Sequence, residues 1–225
     1  MGNSLISSET MLFLKDLAHN NVREWFHENK DRYKKAHEEA KVFLDGLHSA
    51  MNKVDEIEKS KLFRIYRDVR FSKDKTPYNP SFRMSFSRMK PWLRGGYFLK
   101  VAPGDSGLAC GFWNPNSPDM TRIRSAISSD PEKFRTLITD KSISKVFGSM
   151  KGDQVKTAPK GYKSDHPAIE ILKYKQYLFS RSFTDEEVCA EDFISKCVES
   201  WLAVRPFFDY MSDVLTHSVD GEPLY

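Results

Sequence analysis

The stretch FRMSFSRMKPWLRGGYFLKVAPGDSGLACGF, residues 82–112, decides the fold that this sequence predicts. Apolar side chains alternate there with polar or small ones, and this two-residue period is typical of β-strands with one buried face. The alternation comes in three runs, with apolar positions at Phe82, Met84 and Phe86, at Tyr97, Leu99 and Val101, and at Leu108, Cys110 and Phe112. Loops rich in proline and glycine separate the runs. Connections this short predict an antiparallel meander.

A fourth alternating run precedes these three. Phe63, Ile65, Val69 and Phe71 share one parity, so we predict a first strand there. Arg67 falls on the apolar side of this strand. That position indicates a bulge, the end of the strand, or a buried arginine with a partner.

Before the strands, the apolar residues follow a helical period. We predict a short helix over residues 8–18 and a second helix that begins at Asn21. Asn21 can cap this helix, and Glu24 three positions later completes a capping box. Apolar residues then recur at helical spacing as far as Met51, which predicts one long amphipathic helix.

Helical patterns return after the strands. Ser117 and Asp130 each precede a proline, an arrangement typical of a cap residue followed by the first helical position. Another helix is predicted to begin at Asp165, and a long capped helix at Thr184. An apolar run at residues 177–183 is interpreted as a last strand.

Helices before and after a block of strands predict the α+β class. The expected architecture is an antiparallel β-meander of about four strands packed against a long N-terminal helix and several C-terminal helices. No internal repeat, low-complexity tract or linker interrupts the sequence. We therefore expect a single domain over residues 1–225.

The charge of the chain is unevenly distributed. Its net charge is +4, and its hydrophobic content of 40% excludes wholesale disorder. Residues 61–100 hold eleven lysines and arginines against two acidic residues, whereas residues 184–225 hold two against ten. This polarity indicates a basic face for an anionic partner, or two segments that pair with each other in the fold.

Cysteine usage and hydropathy indicate the class of protein. Cys110, Cys189 and Cys197 are odd in number and lack CxxC spacing, so they predict neither a disulfide framework nor a zinc site and fit a reducing compartment. No apolar run approaches the length of a membrane span, and no signal peptide opens the chain. We expect a soluble cytoplasmic protein without a membrane partner.

The stretch RIYRDVRFSKDKTPY, residues 64–78 and hereafter the arginine loop, is the strongest candidate for a functional site. Its cations can bind phosphate or carboxylate oxygens. They are Arg64, Arg67, Arg70, Lys73 and Lys75. Asp68 and Asp74 can orient these cations, bind a divalent metal or act as a base, and Tyr78 follows a proline that exposes its hydroxyl. The alternative is an ion-pair network that only fixes the end of a strand.

A second candidate lies at residues 160–170. Asp165 is a natural helix cap, and His166 and Glu170 are four positions apart, so we expect them on one helix face. Such a pair can act as an oriented base, with Tyr162 and Asp165 contacting a ligand. No second histidine completes a metal motif, so no metal site is assigned. A capping aspartate followed by a packed histidine is the alternative.

Three functions agree with these patterns. The first is a cleft that binds a small phosphate- or carboxylate-bearing ligand, as a binding protein or as a hydrolase or transferase. The second is a single-stranded nucleic-acid-binding protein whose basic sheet face stacks bases on Tyr66, Tyr97 or Trp113. The third is an interaction or scaffold protein without a catalytic site. The patterns name no cofactor and no oligomeric state.

Five motifs together resemble domain-of-unknown-function family 2461 over roughly residues 10–210. They are NNVREWFHENKDRY (20–33), RIYRDVRFSKDKTPY (64–78), GGYFLKVAPG (95–104), GFWNP (111–115) and APKGYKSDHPAIEILKYK (158–175). The resemblance implies a single compact domain and brings no established activity, cofactor or catalytic residue. Asn79 and Pro80 follow KTPY where the resemblance leads us to expect a lysine, a departure that counts slightly against an anion site.

Overall fold

The computed structural model describes residues 5–218 and 220–225, and within them it contains one five-stranded antiparallel sheet. Its strands follow one another in chain order: β1 (Ile57–Leu62), β2 (Phe82–Arg88), β3 (Gly96–Val101), β4 (Ser106–Phe112) and β5 (Tyr177–Phe183). All nine apolar residues that the alternation places on one face of β2, β3 and β4 are buried. The α+β class is therefore confirmed, as is the last strand at residues 177–183.

Ten helices accompany the sheet in this part of the chain. They are α1 (Ser8–His19), α2 (Arg23–Glu28), α3 (Lys30–Met51), α4 (Ser117–Ser129), α5 (Pro131–Ile138), α6 (Lys141–Phe147), α7 (Ile169–Leu172), α8 (Asp185–Cys189), α9 (Phe193–Leu202) and α10 (Arg205–Thr216). Asp130 caps α5 as predicted, whereas Asn116 rather than Ser117 caps α4. The predicted cap at Thr184 is confirmed and forms a capping box with Glu187, but its helix ends at Cys189 and a separate helix follows.

The predicted first strand is wrong. β1 lies earlier, at residues 57–62, so the sheet has five strands rather than about four. Residues 63–71 form no strand, Ile65 alone of the four apolar positions is buried, and Phe71 is 95% exposed. The alternation of apolar residues predicted a strand wrongly, because charged residues of this segment form ion pairs inside a loop instead of facing solvent from one side of a strand.

The long N-terminal helix is also revised. The helix that opens the described chain, α1, has only 12 residues, and the predicted second helix is interrupted at Asn29 to give α2 and the 22-residue α3. Asn21 does not cap, because Val22 occupies that position without a side-chain hydrogen bond. The buried stripe of α3 matches the predicted spacing from Ala36 to Met51.

The chain divides into two compact units. The first unit comprises the described residues up to Phe86 together with Phe98–Leu108 and Ser182–Val198. The second comprises the described residues of Ser87–Tyr97, Ala109–Arg181 and Glu199–Tyr225. A single domain over the whole chain stays a prediction, and each unit is described by itself.

Each unit has its own aromatic core. In the first, α3 packs against α1 and β1, and Phe43 stacks on Phe193 with ring centroids 5.6 Å apart. In the second, α10 packs against α4 and α5, and Phe208 lies 5.1 Å from the ring of Tyr97. Both cores bury large aromatic surfaces, which contribute strongly to stability.

A buried arginine lies in the core of the second unit. The side chain of Arg88 is 0% exposed, and its Nη2 donates to Oδ1 of Asp209 at 3.2 Å. Nη1 donates to the carbonyl of Arg94 at 3.1 Å and to Oγ of Ser212 at 3.3 Å. The guanidinium also lies 5.2 Å from the ring centroid of Phe208. A buried charge is tolerated only with partners of this kind.

Asp209→Ala is expected to lower the free energy of unfolding by about 3 kcal/mol, because it removes a carboxylate that faces a buried guanidinium. Asp213→Ala, an exposed position on the same helix, serves as the control and is expected to change stability by less than about 0.5 kcal/mol. Urea denaturation measures both. In the double variant Arg88→Met/Asp209→Ala much of the loss should be recovered. Equal effects of the two single substitutions would contradict this account.

Candidate functional site

The arginine loop closes on itself within the first unit. Tyr66 and Tyr78 form an isolated antiparallel bridge, the amide of Arg67 donates to the carbonyl of Pro77 at 2.8 Å, and the amide of Asn79 donates to the carbonyl of Ile65 at 2.7 Å. The segment between these bonds is a long excursion without regular secondary structure. Its conformation therefore depends on side-chain contacts.

Tyr78 anchors the base of this loop. Its ring is buried and stacks on Phe26 with centroids 4.0 Å apart and an interplanar angle of 15°. The side chain of Asn21 clamps its backbone: Oδ1 accepts from the amide at 3.1 Å and Nδ2 donates to the carbonyl at 3.0 Å. Burial raises the pKa of Tyr78 above its ordinary value. The ring of this tyrosine therefore holds the loop in place, and a role for its hydroxyl stays a prediction.

Arg67 and Asp74 form the central ion pair of the loop. Nη1 of Arg67 lies 2.5 Å from Oδ2 of Asp74 and also donates to the hydroxyl of Thr76. The amide of Thr76 donates to Asp74 at 2.9 Å. This amide bond and then the bond from Arg67 lower the pKa of Asp74 from 3.8 to about 2. Asp74 is thus ionised at neutral pH and orients Arg67.

A second ion pair lies further along the loop. Arg70 binds Asp68 through both Nε, at 2.9 Å, and Nη2, at 2.6 Å. This bidentate bond is the main reason why the pKa of Asp68 lies below its ordinary value. Lys75 donates to the carbonyl of Val69 at 2.9 Å, and Lys73 is exposed. Three of the five predicted ligand-binding cations, Arg70, Lys73 and Lys75, do not line the cavity that adjoins the loop.

A cavity of about 320 Å³ lies against the loop. Its lining includes Arg64, Arg67, Arg83, Tyr66, Asp68 and Asn79. Three arginines and one aspartate thus line the cavity; Arg67 is paired with Asp74 and Asp68 with Arg70. Neither Arg64 nor Arg83 pairs with a carboxylate of the described residues. Nε of Arg83 is buried without a hydrogen-bond partner, and its guanidinium lies 5.8 Å from the ring of Phe63.

Arg83 is the site residue that the sequence analysis missed. It lies on β2 between two buried residues, so its parity alone placed it on the polar face of the strand. The sequence does contain an indication. An arginine on the polar face of a strand that directly follows a basic loop is a candidate for the same site. Only the fold shows that this strand and the loop meet at one cavity.

The second candidate segment belongs to the second unit. Nδ1 of His166 accepts from the amide of Ala168 at 3.0 Å, so in the neutral ring Nε2 carries the hydrogen and donates to Oγ of Ser128 at 2.9 Å. The ring of Tyr162 meets the ring of His166 edge-on, with centroids 5.8 Å apart. Burial raises the pKa of Tyr162. Both ring nitrogens of the histidine are therefore engaged.

Two predictions about this segment are wrong. α7 begins at Ile169 after Ala168, so the exposed Asp165 does not cap it and His166 precedes the helix. His166 and Glu170 consequently do not share a helix face, and Glu170 pairs with Lys173 at 3.0 Å. The helix starts late because the backbone makes three turns between residues 159 and 169 before it becomes helical.

The aromatic residues of the nucleic-acid hypothesis lie in different environments. Tyr97 is 2% exposed and packs on Trp201 at 5.1 Å, so its predicted role as an exposed stacking platform is wrong. Tyr66 is 46% exposed, beside the cavity, and Trp113 is also exposed. In the described part of the chain, no helix is long and apolar enough to cross a membrane.

The chain belongs to the family of conserved hypothetical proteins DUF2461, whose model matches residues 9–210. This match confirms the resemblance that the five motifs carry. No curated protein and no solved structure matches the chain.

Asn21→Ala is expected to lower the free energy of unfolding by about 1–3 kcal/mol, because it removes two hydrogen bonds from the backbone of Tyr78. The amides of Arg67 and Asn79 should exchange faster with solvent deuterium, since they close the loop. Asn20→Ala, which alters an exposed bond to Asp16, is the control and should leave both amides protected. Equal exchange in the two variants would refute the anchoring role.

The low pKa of Asp74 makes its contribution depend on pH. A carboxylate with a depressed pKa stabilises the fold fully above its ordinary pKa of 3.8, and the contribution disappears as pH falls through about 2. The wild-type Tm should therefore exceed that of Asp74→Asn at about pH 5, and this difference in Tm should vanish as the pH approaches about 2. Thermal denaturation across this range measures it. A difference that persists unchanged would contradict the ion pair.

Proposed function

We propose that the protein binds a small ligand carrying a phosphate or carboxylate group in the cavity lined by Arg64, Arg67 and Arg83. The observation that carries the proposal is the imbalance of charge in this cavity, which Arg64 and Arg83 line without a carboxylate partner while its one aspartate, Asp68, is bound to Arg70. Clustered cations without counter-ions repel one another, so an anion placed among them is stabilised.

Arg67 is prepared for such a ligand. Both hydrogen bonds of its guanidinium use Nη1, and no described residue accepts from its Nη2 or Nε. Asp74 and Thr76 thus hold the guanidinium while leaving donors for a second acceptor. A guanidinium held in advance loses little conformational entropy on binding, which favours affinity.

The cavity wall also suits the organic part of a ligand. The ring of Tyr66 is partly exposed beside the three arginines. Aromatic rings pack against flat or apolar groups, so a ligand larger than a bare anion gains contact area there.

The proposal extends to binding and not to a chemical step. A hydrolase or transferase needs a group that transfers a proton, and Asp68 and Asp74 are tied in ion pairs. Tyr78 is buried in the anchor, and His166 belongs to the second unit. A catalytic role for these four residues stays a prediction from sequence.

Single-stranded nucleic acid is the second candidate ligand. Phe71 is almost fully exposed, and the guanidinium of Arg70 lies 5.9 Å from its ring centroid. Together with Tyr66 it gives the arginine loop two exposed aromatic rings among cations, a combination that stacks bases and contacts phosphates. Binding of this kind depends steeply on salt.

Arg64→Ala and Arg83→Ala are each expected to weaken the binding of an organic monophosphate about 10- to 100-fold, since each removes a charge-assisted contact. Lys73→Ala, exposed in the same loop but outside the cavity, is the control and should bind as the wild type does. Isothermal titration calorimetry with phenyl phosphate, inorganic phosphate and a short oligonucleotide measures the affinities. Loss of binding in all three variants alike, or binding of the oligonucleotide alone, would overturn the proposal.

A further inference from the structure

A second cavity adjoins the first within the same unit. Its volume is about 700 Å³, and Asn79 and Arg83 line both cavities. The remaining wall includes Lys15 and His19 from α1, Lys100 from β3, and Asp105 and Asp185.

The carboxylates of the second cavity are already engaged. Asp105 pairs with Lys100, and Oδ1 of Asp185 accepts from the amide of Gly104 at 2.8 Å. Lys15 has no carboxylate partner among the residues that the structure describes, although it lies on the exposed side of α1. The cations that line the second cavity, Lys15, Arg83 and Lys100, therefore outnumber its carboxylates, Asp105 and Asp185, by one.

Arg83 lies where the two cavities meet. It contributes to both walls, and its buried Nε has no hydrogen-bond acceptor. A ligand that extends from one cavity to the other passes this guanidinium, with Arg64 and Arg67 at one end and Lys15 at the other. Cavities of these sizes hold organic molecules rather than bare ions.

We infer that the ligand of this site carries two anionic groups, phosphates or carboxylates, joined by an organic spacer that crosses Arg83. The inference rests on the proposed function, because the first anionic group occupies the cavity of Arg64 and Arg67. The second group contacts Lys15. Linking two anions raises affinity, since binding of the first group brings the second to its subsite at high effective concentration.

A length series of α,ω-alkanediol bisphosphates, compared with the matching alkyl monophosphates by titration calorimetry, tests the inference. At least one bisphosphate is expected to bind the wild type about tenfold or more tightly than its monophosphate. Lys15→Ala should abolish this gain and leave the monophosphate affinity unchanged. Lys35→Ala, exposed on α3 and outside both cavities, is the control and should retain the gain.

The outcomes separate the inference from the proposed function. If no bisphosphate of any length exceeds its monophosphate, or if the gain survives Lys15→Ala, the two-group ligand is refuted. Monophosphate binding that still depends on Arg64 would then leave the proposed function standing. If neither class binds, both fail. Circular dichroism of each variant confirms that the fold is intact, and Lys15→Glu, which reverses the charge, should weaken the bisphosphate more than Lys15→Ala does.

Discussion

The packing of Tyr78 on Phe26, with the clamp of Asn21 on its backbone, is the interaction on which the candidate site depends. The arginine loop has no strand or helix of its own, so this anchor sets where its cations lie. The ion pairs within the loop depend on this anchor, because Asp74 can orient Arg67 only when the ends of the loop are closed. A rigid apolar base thus supports an exposed polar surface, an arrangement common at binding sites.

The arginines of this chain show two ways of accommodating a guanidinium. Arg88 is buried and meets a carboxylate, a carbonyl and a hydroxyl, so its charge serves the core of the second unit. Arg64 and Arg83 lie at a cavity without such partners. Since charge without a counter-ion is unfavourable near a low-dielectric surface, the second arrangement is the one that gains from a bound anion.

The charge asymmetry of the sequence left two interpretations open, and particular pairs now bear on them. Arg88 pairs with Asp209, which joins the basic and acidic segments as the interpretation of paired segments expected. The arginine loop behaves differently, because Arg67 and Arg70 find their carboxylates inside the loop itself. Among the described residues, pairing between the segments therefore contributes at Arg88, and it does not involve the arginines that line the cavity.

The sequence by itself determined the α+β class, β2 to β4, β5 and the family, because strands with one buried face and specific motifs leave a local pattern. It missed β1, an edge strand whose residues after Ile57 are not buried, and it placed a strand where ion pairs organise a loop. Only the tertiary structure decided the site. Arg83 and the arginine loop are separated along the chain, and convergence of distant side chains depends on packing that no local period records.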